Sequence, residues 1–214
     1  MSLHAPLSRE KLRSLINQNK LNCIEKVLAK RSDYVTFAFE RLYHEHNIDA
    51  GLRSIEACGF QTVHIIENEK RINPSVTVTK GADYWLTMNH YAQPETNNVK
   101  NCFEKLHTQG YRIVGTMPTK KAYSIADLPL DKKIALVIGN ERLGLSDYAR
   151  EHVDTYVTIP MYGFTESFNA SVSVALLAYE LRRRLEKENF AWHITQQEQS
   201  DLELIWLTRL IKKN

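Results

Sequence analysis

The chain has 214 residues, 43% of them apolar and 25% charged, the balance of a globular protein that buries a core of its own rather than of a disordered or fibrous chain. No run of about 18 apolar residues occurs, so no membrane span is expected; Cys23, Cys58 and Cys102 make neither a CxxC pair nor a metal-ligand cluster, and the segment MSLHAPLSREKLRSL lacks the apolar core of a secretory signal, so reduced thiols, no metal and a cytoplasmic location are expected. The net charge of +3 is uneven: residues 1–31 carry seven Lys/Arg against two Asp/Glu, 32–181 carry 14 against 18, and 182–214 carry seven against five.

Residues 8–30 (SREKLRSLINQNKLNCIEKVLAK) read as helix, with Leu12, Leu15, Ile16, Ile24, Val27 and Leu28 near helical spacing and Ser8 as the cap. The polar patch NQNKLN at 17–22 is expected to break it in two. Its basic surplus is either a solvated helix surface or an electrostatic grip on a polyanion. From Asp33 the pattern alternates. Residues 34–40 (YVTFAFE) read as strand, 47–58 as helix closed by Gly59, and 62–67 (TVHIIE) as strand. Residues 68–83 read as polar loop, 84–88 as a short strand, and 94–109 as helix ended by Gly110. Further strands are expected at 111–116 (YRIVGT), 133–138 (KIALVI) and 155–159 (TYVTI), followed by a helix at 170–186. In the last segment, 196–212, Leu202, Ile205, Trp206 and Leu210 share one face, which must dock on the chain's own core or on a partner subunit. Strands alternating with helices imply an α/β fold, a mostly parallel sheet with helices on both faces. In such sheets ligands bind at the carboxyl ends of the strands.

Three segments begin at those ends. HEHNIDAGLRSIEACGF (44–60) places Asn47 where an N-cap is expected and Arg53 six residues on. It is either a capping Asn with a solvent-facing Arg, or an Arg set to meet a phosphate near the helix start. ALVIGNERLGLS (135–146) ends a buried strand in Gly139-Asn140-Glu141, with Gly144 following; two glycines around a turn let backbone approach a ligand closely, and Glu141 is either a turn residue or a site carboxylate. IPMYGFTESFNASVSVALLAYEL (159–181) runs from a strand through a Pro-Gly loop into Glu166-Ser167-Phe168-Asn169, which open a helix rich in small residues. Ser167 and Asn169 are good cap types, and capping accounts for one of them.

In order and spacing, the trio HNIDAGLRS, VIGNERLGLS and IPMYGFTESFNASVS resembles the three motifs of the SpoU/TrmH family of the SPOUT methyltransferases. The basic helical start and amphipathic tail extend the likeness to the branch of that family that methylates tRNA guanosine. The resemblance implies a C-terminal deep trefoil knot, a feature that periodicity does not reveal. It divides the chain into a basic helical extension (1–31), a SPOUT catalytic domain (32–187) and a helical tail (188–214). It implies that S-adenosyl-L-methionine is the cofactor, held by Thr116, Ile138, Gly139, Ile159, Met161 and Phe168. Arg53 is implied as the catalytic residue, with Asn47, Glu141, Ser167 and Asn169 around it, whether as the base or as the group that positions a phosphate. RNA contacts are expected at Arg9, Lys11, Arg13 and His46, and the active unit is a homodimer joined through the catalytic domain, with no DNA or membrane partner. The implied reaction is methylation of a ribose 2′-OH, on the D-loop guanosine at position 18 of tRNA. Ribosomal RNA as substrate, and a silent RNA-binding module, are the alternatives. A Rossmann-type dehydrogenase is disfavoured because no GxGxxG follows the first strand. Glu166 stands where some relatives have a neutral amide, and Phe168 replaces the Leu common before the Asn.

Overall fold

A computed structural model describes residues 8–42, 44–67 and 79–213. In chain order its elements are α1 (Arg9–Ser14), α2 (Gln18–Leu28), β1 (Val35–Glu40), α3 (Glu45–Ala57), β2 (Thr62–Ile66), α4 (Ala82–Trp85), β3 (Thr87–Tyr91), α5 (Asn98–Thr108), β4 (Arg112–Thr116), β5 (Tyr123–Ser124), β6 (Ile134–Ile138), α6 (Asp147–His152), β7 (Thr155–Thr158), α7 (Ala170–Leu185) and α8 (Gln196–Lys213). They form two units, one within 32–192 and one from the described parts of 1–31 and 193–214.

The larger unit is built on a seven-stranded sheet of order β3-β2-β1-β6-β4-β7-β5, with every pairing parallel. Its centre is β1 beside β6, in register Phe37↔Leu136. Every residue of both strands is buried, as expected where helices cover both faces. Because side chains alternate along a strand, Val35, Phe37 and Phe39 enter one apolar cluster with Ile48, Leu52 and Ile55 of α3 and Val174, Leu177 and Leu181 of α7. Ala38, Ala135 and Val137 enter the other, with Val99, Cys102, Phe103 and Leu106 of α5 and Ala149 of α6. Fully burying a side chain of the size of Leu52 or Phe37 contributes about 1.5–3 kcal/mol, so these two layers fix where the strand ends lie. Arg184, near the end of α7, donates to the carbonyls of Ile125 (2.7 Å) and Leu128 (2.6 Å) and so ties α7 to the segment between β5 and β6.

In the helical unit the break within 8–30 falls where Asn17 caps α2, its side chain accepting from the Lys20 amide at 2.8 Å. Ser8 caps α1 by accepting from the Lys11 amide. Arg31 lies over the Trp206 ring, 5.3 Å from its centroid. The buried face of α8 holds Leu202, Glu203, Trp206 and Leu207, while Leu204 and Ile205 are exposed. Ile205, which shares the expected apolar face with Leu202 and Trp206, is thus not covered by the chain's own core.

Other differences from the sequence reading have local causes. The strand expected at 84–88 is a helical turn, Ala82–Trp85, followed by a strand at Thr87–Tyr91 that pairs with β2 from Thr62↔Thr87 to Ile66↔Tyr91. This edge strand reads TMNHY and is only half-buried, so it carries no apolar alternation. Helix α6 spans six residues, too few for a periodic signal; the Ser146 hydroxyl accepts from the Ala149 amide and starts it. Most of the expected polar loop, 68–78, lies outside the described residues. Among the described residues no helix is long and apolar enough to cross a membrane.

Candidate functional site

A cavity of about 520 Å³ opens at the carboxyl ends of β4, β6 and β7. Its walls are Thr116 from β4, Ile138 to Glu141 after β6, Thr158 and Ile159 after β7, the loop residues Met161 and Glu166 to Asn169, and the starts of α3 and α7. All three sequence motifs therefore meet in one place. All six residues expected to hold the cofactor line it, as do Asn47, Glu141, Ser167 and Asn169.

The floor is a tight turn. The Asn140 amide donates to the Gly144 carbonyl (2.9 Å) and the Gly144 amide returns the bond (2.8 Å), with Gly144 at φ +68°. A Cβ on Gly139 would lie 2.5 Å from the Gly144 carbonyl carbon, so only glycine admits this approach. The Asn140 side chain completes the turn. Its Oδ1 accepts from the amides of Arg142 (2.9 Å) and Leu143 (3.1 Å), and its Nδ2 donates to the Arg41 carbonyl at 2.7 Å.

That turn presents Glu141, whose Oε1 accepts from Asn47 Nδ2 at 2.6 Å. Asn47 Oδ1 in turn accepts from Asn169 Nδ2 at 3.2 Å. Asn169 Oδ1 caps α7 through the Ser171 amide (2.9 Å) and also accepts from the Ser171 hydroxyl (2.7 Å). A chain of amide and carboxylate groups thus joins residues 47, 141 and 169. Asn47 is not the N-cap of its helix. His44 holds that position without a side-chain cap bond, and Asn47 sits in the first turn with its side chain turned to Glu141. A partner distant in sequence won over the local backbone, which is why a cap reading from spacing misplaced it.

The remaining expected residues separate. Arg53 is exposed, is not among the cavity's lining residues and has no hydrogen-bond or ion-pair partner among the described residues. His46 is exposed on the first turn of α3 and likewise outside the lining, whereas His44 is part of it. In the helical unit, Arg9 and Arg13 are both paired with the buried carboxylate of Glu203, and Arg13 also with Glu25. Lys11 is exposed. Of the three arginines that end α7, Arg182 pairs with Glu186 and lies 4.5 Å over the Trp192 ring, Arg183 pairs with Glu180, and Arg184 holds the two carbonyls named above. Sequence reasoning did not single out Met117, Pro118, Ser173 and Leu177, which also line the cavity. Ser173 stands one helical turn after Asn169, a spacing that points to the same face.

The walls combine apolar surface (Ile138, Val157, Ile159, Leu177) with the uncovered backbone at Gly139 and the polar chain above. The volume falls within the usual range for small-molecule pockets, about 300–1,000 Å³. Such a site suits a ligand with one apolar part and one polar part. Among the described residues no group of three His, Cys, Asp or Glu is placed to hold a metal ion. Beside the cavity, Tyr162 and Phe164 are almost wholly exposed, and Val172, Leu176 and Tyr179 form an exposed stripe along α7.

Known proteins are similar to this chain in sequence and fold. The chain is 36% identical over 203 residues to the tRNA (guanosine(18)-2′-O)-methyltransferase of Borreliella burgdorferi, covering 94% of this chain and 90% of the relative. It is 30% identical over 176 residues to the enzyme of the same name from Aquifex aeolicus, covering 81% of each. The crystal structure of the A. aeolicus TrmH/SpoU tRNA modifying enzyme superposes with a TM-score of 0.78 at 26% identity, over 91% of this chain and 98% of that one. A family model for the SpoU rRNA Methylase family matches residues 34–179, a span that holds all three motifs and every wall of the cavity. The chain belongs to the SpoU rRNA Methylase family.

Proposed function

We propose that the protein transfers a methyl group from S-adenosylmethionine to a ribose 2′-oxygen of tRNA, on guanosine 18, the nucleotide named for its relatives. The observation that carries this reading is the convergence of the three motifs on one cavity, locked by the Asn47–Glu141–Asn169 hydrogen bonds. Thr116, Ile138, Gly139, Ile159, Met161 and Phe168 hold the cofactor, the bare backbone at Gly139 serving the polar part and the aliphatic walls the apolar part. When bound, the cofactor's sulfonium supplies an electrophilic methyl group, and no covalent enzyme intermediate is called for. The chain's own residues orient the acceptor and handle its proton. Asn47, Glu141, Asn169 and Ser167 shape the acceptor side. A guanidinium keeps its proton too tightly to act alone as a base. Arg53 therefore acts by gripping the RNA phosphate beside the reacting ribose, the 2′-OH proton passing to water as the O–CH3 bond forms and the donor's S–CH3 bond breaks to leave a neutral thioether.

Arg53 lies about 9 Å of helix axis beyond Asn47 and outside the lining of its own chain's cavity. A homodimer that places the site at the subunit junction accounts for this. The exposed stripe of Val172 (44%), Leu176 (40%) and Tyr179 (66%) on α7, spaced four and three residues apart, is the surface for it. The family's knot is part of the same proposal. The insertion of β6 between β1 and β4, and the Arg184 bonds from α7 to the segment ahead of β6, support it. Free Cys23, Cys58 and Cys102 suit a reducing cytoplasm.

Incubation with labelled S-adenosylmethionine and either total tRNA or ribosomal RNA, followed by mapping of the methylated ribose, tests the reading. Label at guanosine 18 is expected, and a 2′-deoxy nucleotide there blocks it. Label in ribosomal RNA alone would reassign the substrate, and no label in any RNA would leave a binding module.

A further inference from the structure

The geometry points to Arg41, whose carbonyl is bonded to Asn140 of the cavity wall, as an RNA-backbone contact beside the cavity; it belongs to none of the three motifs, and this rests on the proposed RNA methyltransfer. Arg41 follows directly on β1, at the carboxyl edge of the sheet. Its φ is +52°, the left-handed region that residues with a Cβ rarely enter and that Arg has no intrinsic reason to adopt. Two bonds hold it there. Its amide donates to the Ile66 carbonyl at 3.0 Å, and its carbonyl accepts from Asn140 Nδ2 at 2.7 Å. Asn140 is itself part of the cavity wall and carries the turn that presents Glu141. The strained residue is therefore fastened, through one side chain, to the group that orients Asn47.

Strain of this kind persists where surrounding structure over-determines it, and it gathers at functional sites. Glycine or asparagine is the usual occupant of such a position, and here a long cation takes it, bonded to the cavity wall. That side chain is exposed and makes no ion pair or hydrogen bond among the described residues, unlike Arg9, Arg13 and the three arginines that end α7. A guanidinium without a partner among the described residues, on a backbone held by two hydrogen bonds beside the acceptor site, matches a phosphodiester oxygen close to the target nucleotide.

The test compares wild type with Arg41→Gly, which relieves the backbone strain while removing the charge, and with Arg41→Lys. Lys132→Ala, at the amino end of β6 and away from the cavity, is the control. Binding of unfractionated tRNA is measured from 50 to 300 mM salt, with S-adenosylmethionine affinity and kcat in parallel. For Arg41→Gly the tRNA Kd is expected to rise about five- to tenfold and the log–log salt slope to become shallower by about one, with kcat at saturating tRNA and cofactor affinity unchanged. Arg41→Lys recovers part of the affinity, and Lys132→Ala matches wild type. An Arg41→Gly enzyme with wild-type tRNA affinity and slope overturns the assignment, as does one that loses cofactor affinity, because Arg41 would then serve the turn alone. A wild-type protein that neither binds nor methylates RNA overturns the underlying reading itself.

Discussion

Replacing Gly139 by alanine is the sharpest perturbation of the cavity floor. The added Cβ would sit 2.5 Å from the Gly144 carbonyl carbon, 2.6 Å from the Leu145 nitrogen and 2.7 Å from the Gly144 oxygen. All three are backbone atoms, so no flexible side chain can swing aside. An ordinary contact begins at 3.4 Å, so the turn must retreat by roughly 0.9 Å. The paired bonds between Asn140 and Gly144 (2.9 and 2.8 Å) limit that movement. Overpacking of this type costs about 1–3 kcal/mol. Retained in the folded state, that cost lowers the thermal midpoint by about 2–4 °C per kcal/mol in a chain of this size. Relieved by shifting the turn, it displaces Glu141 from Asn47 and narrows the cofactor's backbone contact, and S-adenosylmethionine affinity falls about tenfold or more for 1.4 kcal/mol. Scanning calorimetry and titration with the cofactor read the two outcomes separately. A Gly139→Ala protein with wild-type midpoint, cofactor affinity and turnover would refute the close-approach argument.

Arg53→Ala is expected to reduce methyl transfer to background while cofactor affinity stays near wild type; turnover within a few-fold of wild type would remove Arg53 from its assigned role. Arg184→Ala leaves the Ile125 and Leu128 carbonyls without their charged donor, and at about 1.5–3 kcal/mol for each of the two bonds it should destabilise the unit by roughly 3–6 kcal/mol in urea unfolding, with Arg184→Lys in between. His64 is buried against Tyr91, and that burial, aided by the Lys105 cation, pushes its imidazole down to about 4 from 6.5. The unfolded chain therefore takes up a proton that the folded one refuses. Stability is full above pH 6.5 and falls by about 1.4 kcal/mol per pH unit as the pH drops from 6.5 toward 4. His64→Gln should flatten this limb of the urea-unfolding profile, and superposed wild-type and variant profiles would dismiss His64 as its cause.

The alternation from Asp33 onward was legible because β1 and β6 are buried throughout and the helices between strands carry one apolar face each. Where a strand lies at the edge, as Thr87–Tyr91 does, its half-exposed residues leave no pattern to read. Much of the cavity wall was legible from three motifs taken together, but Met117 and Pro118 after β4 lie outside them. What those motifs withhold is who bonds to whom. Asn47 reads locally as a cap, and only its meeting with Glu141, 94 residues on, turns it into the site. The same limit applies to the N-terminal basic residues. Arg9 and Arg13 look free in sequence because their partner, Glu203, lies 190 or more residues away on a helix whose docking no local pattern dictates. Arg41 lay outside the motifs altogether, since backbone strain leaves no mark in composition.

The partition of the chain into two units also partitions its charge. Residues 32–192, which hold the cavity, carry 20 Asp/Glu against 18 Lys/Arg, whereas 1–31 and 193–214 together carry ten Lys/Arg against five Asp/Glu. On the proposed reading, the unit that does the chemistry has no long-range pull on a polyanion, and the helical unit supplies it. Encounter and reaction are then separable: the first is a matter of screened attraction that fades as salt shortens the Debye length, about 10 Å at 0.1 M, and the second of a few short contacts at the rim and floor of the cavity. Raising ionic strength should slow capture of substrate well before it alters the turnover of substrate already bound.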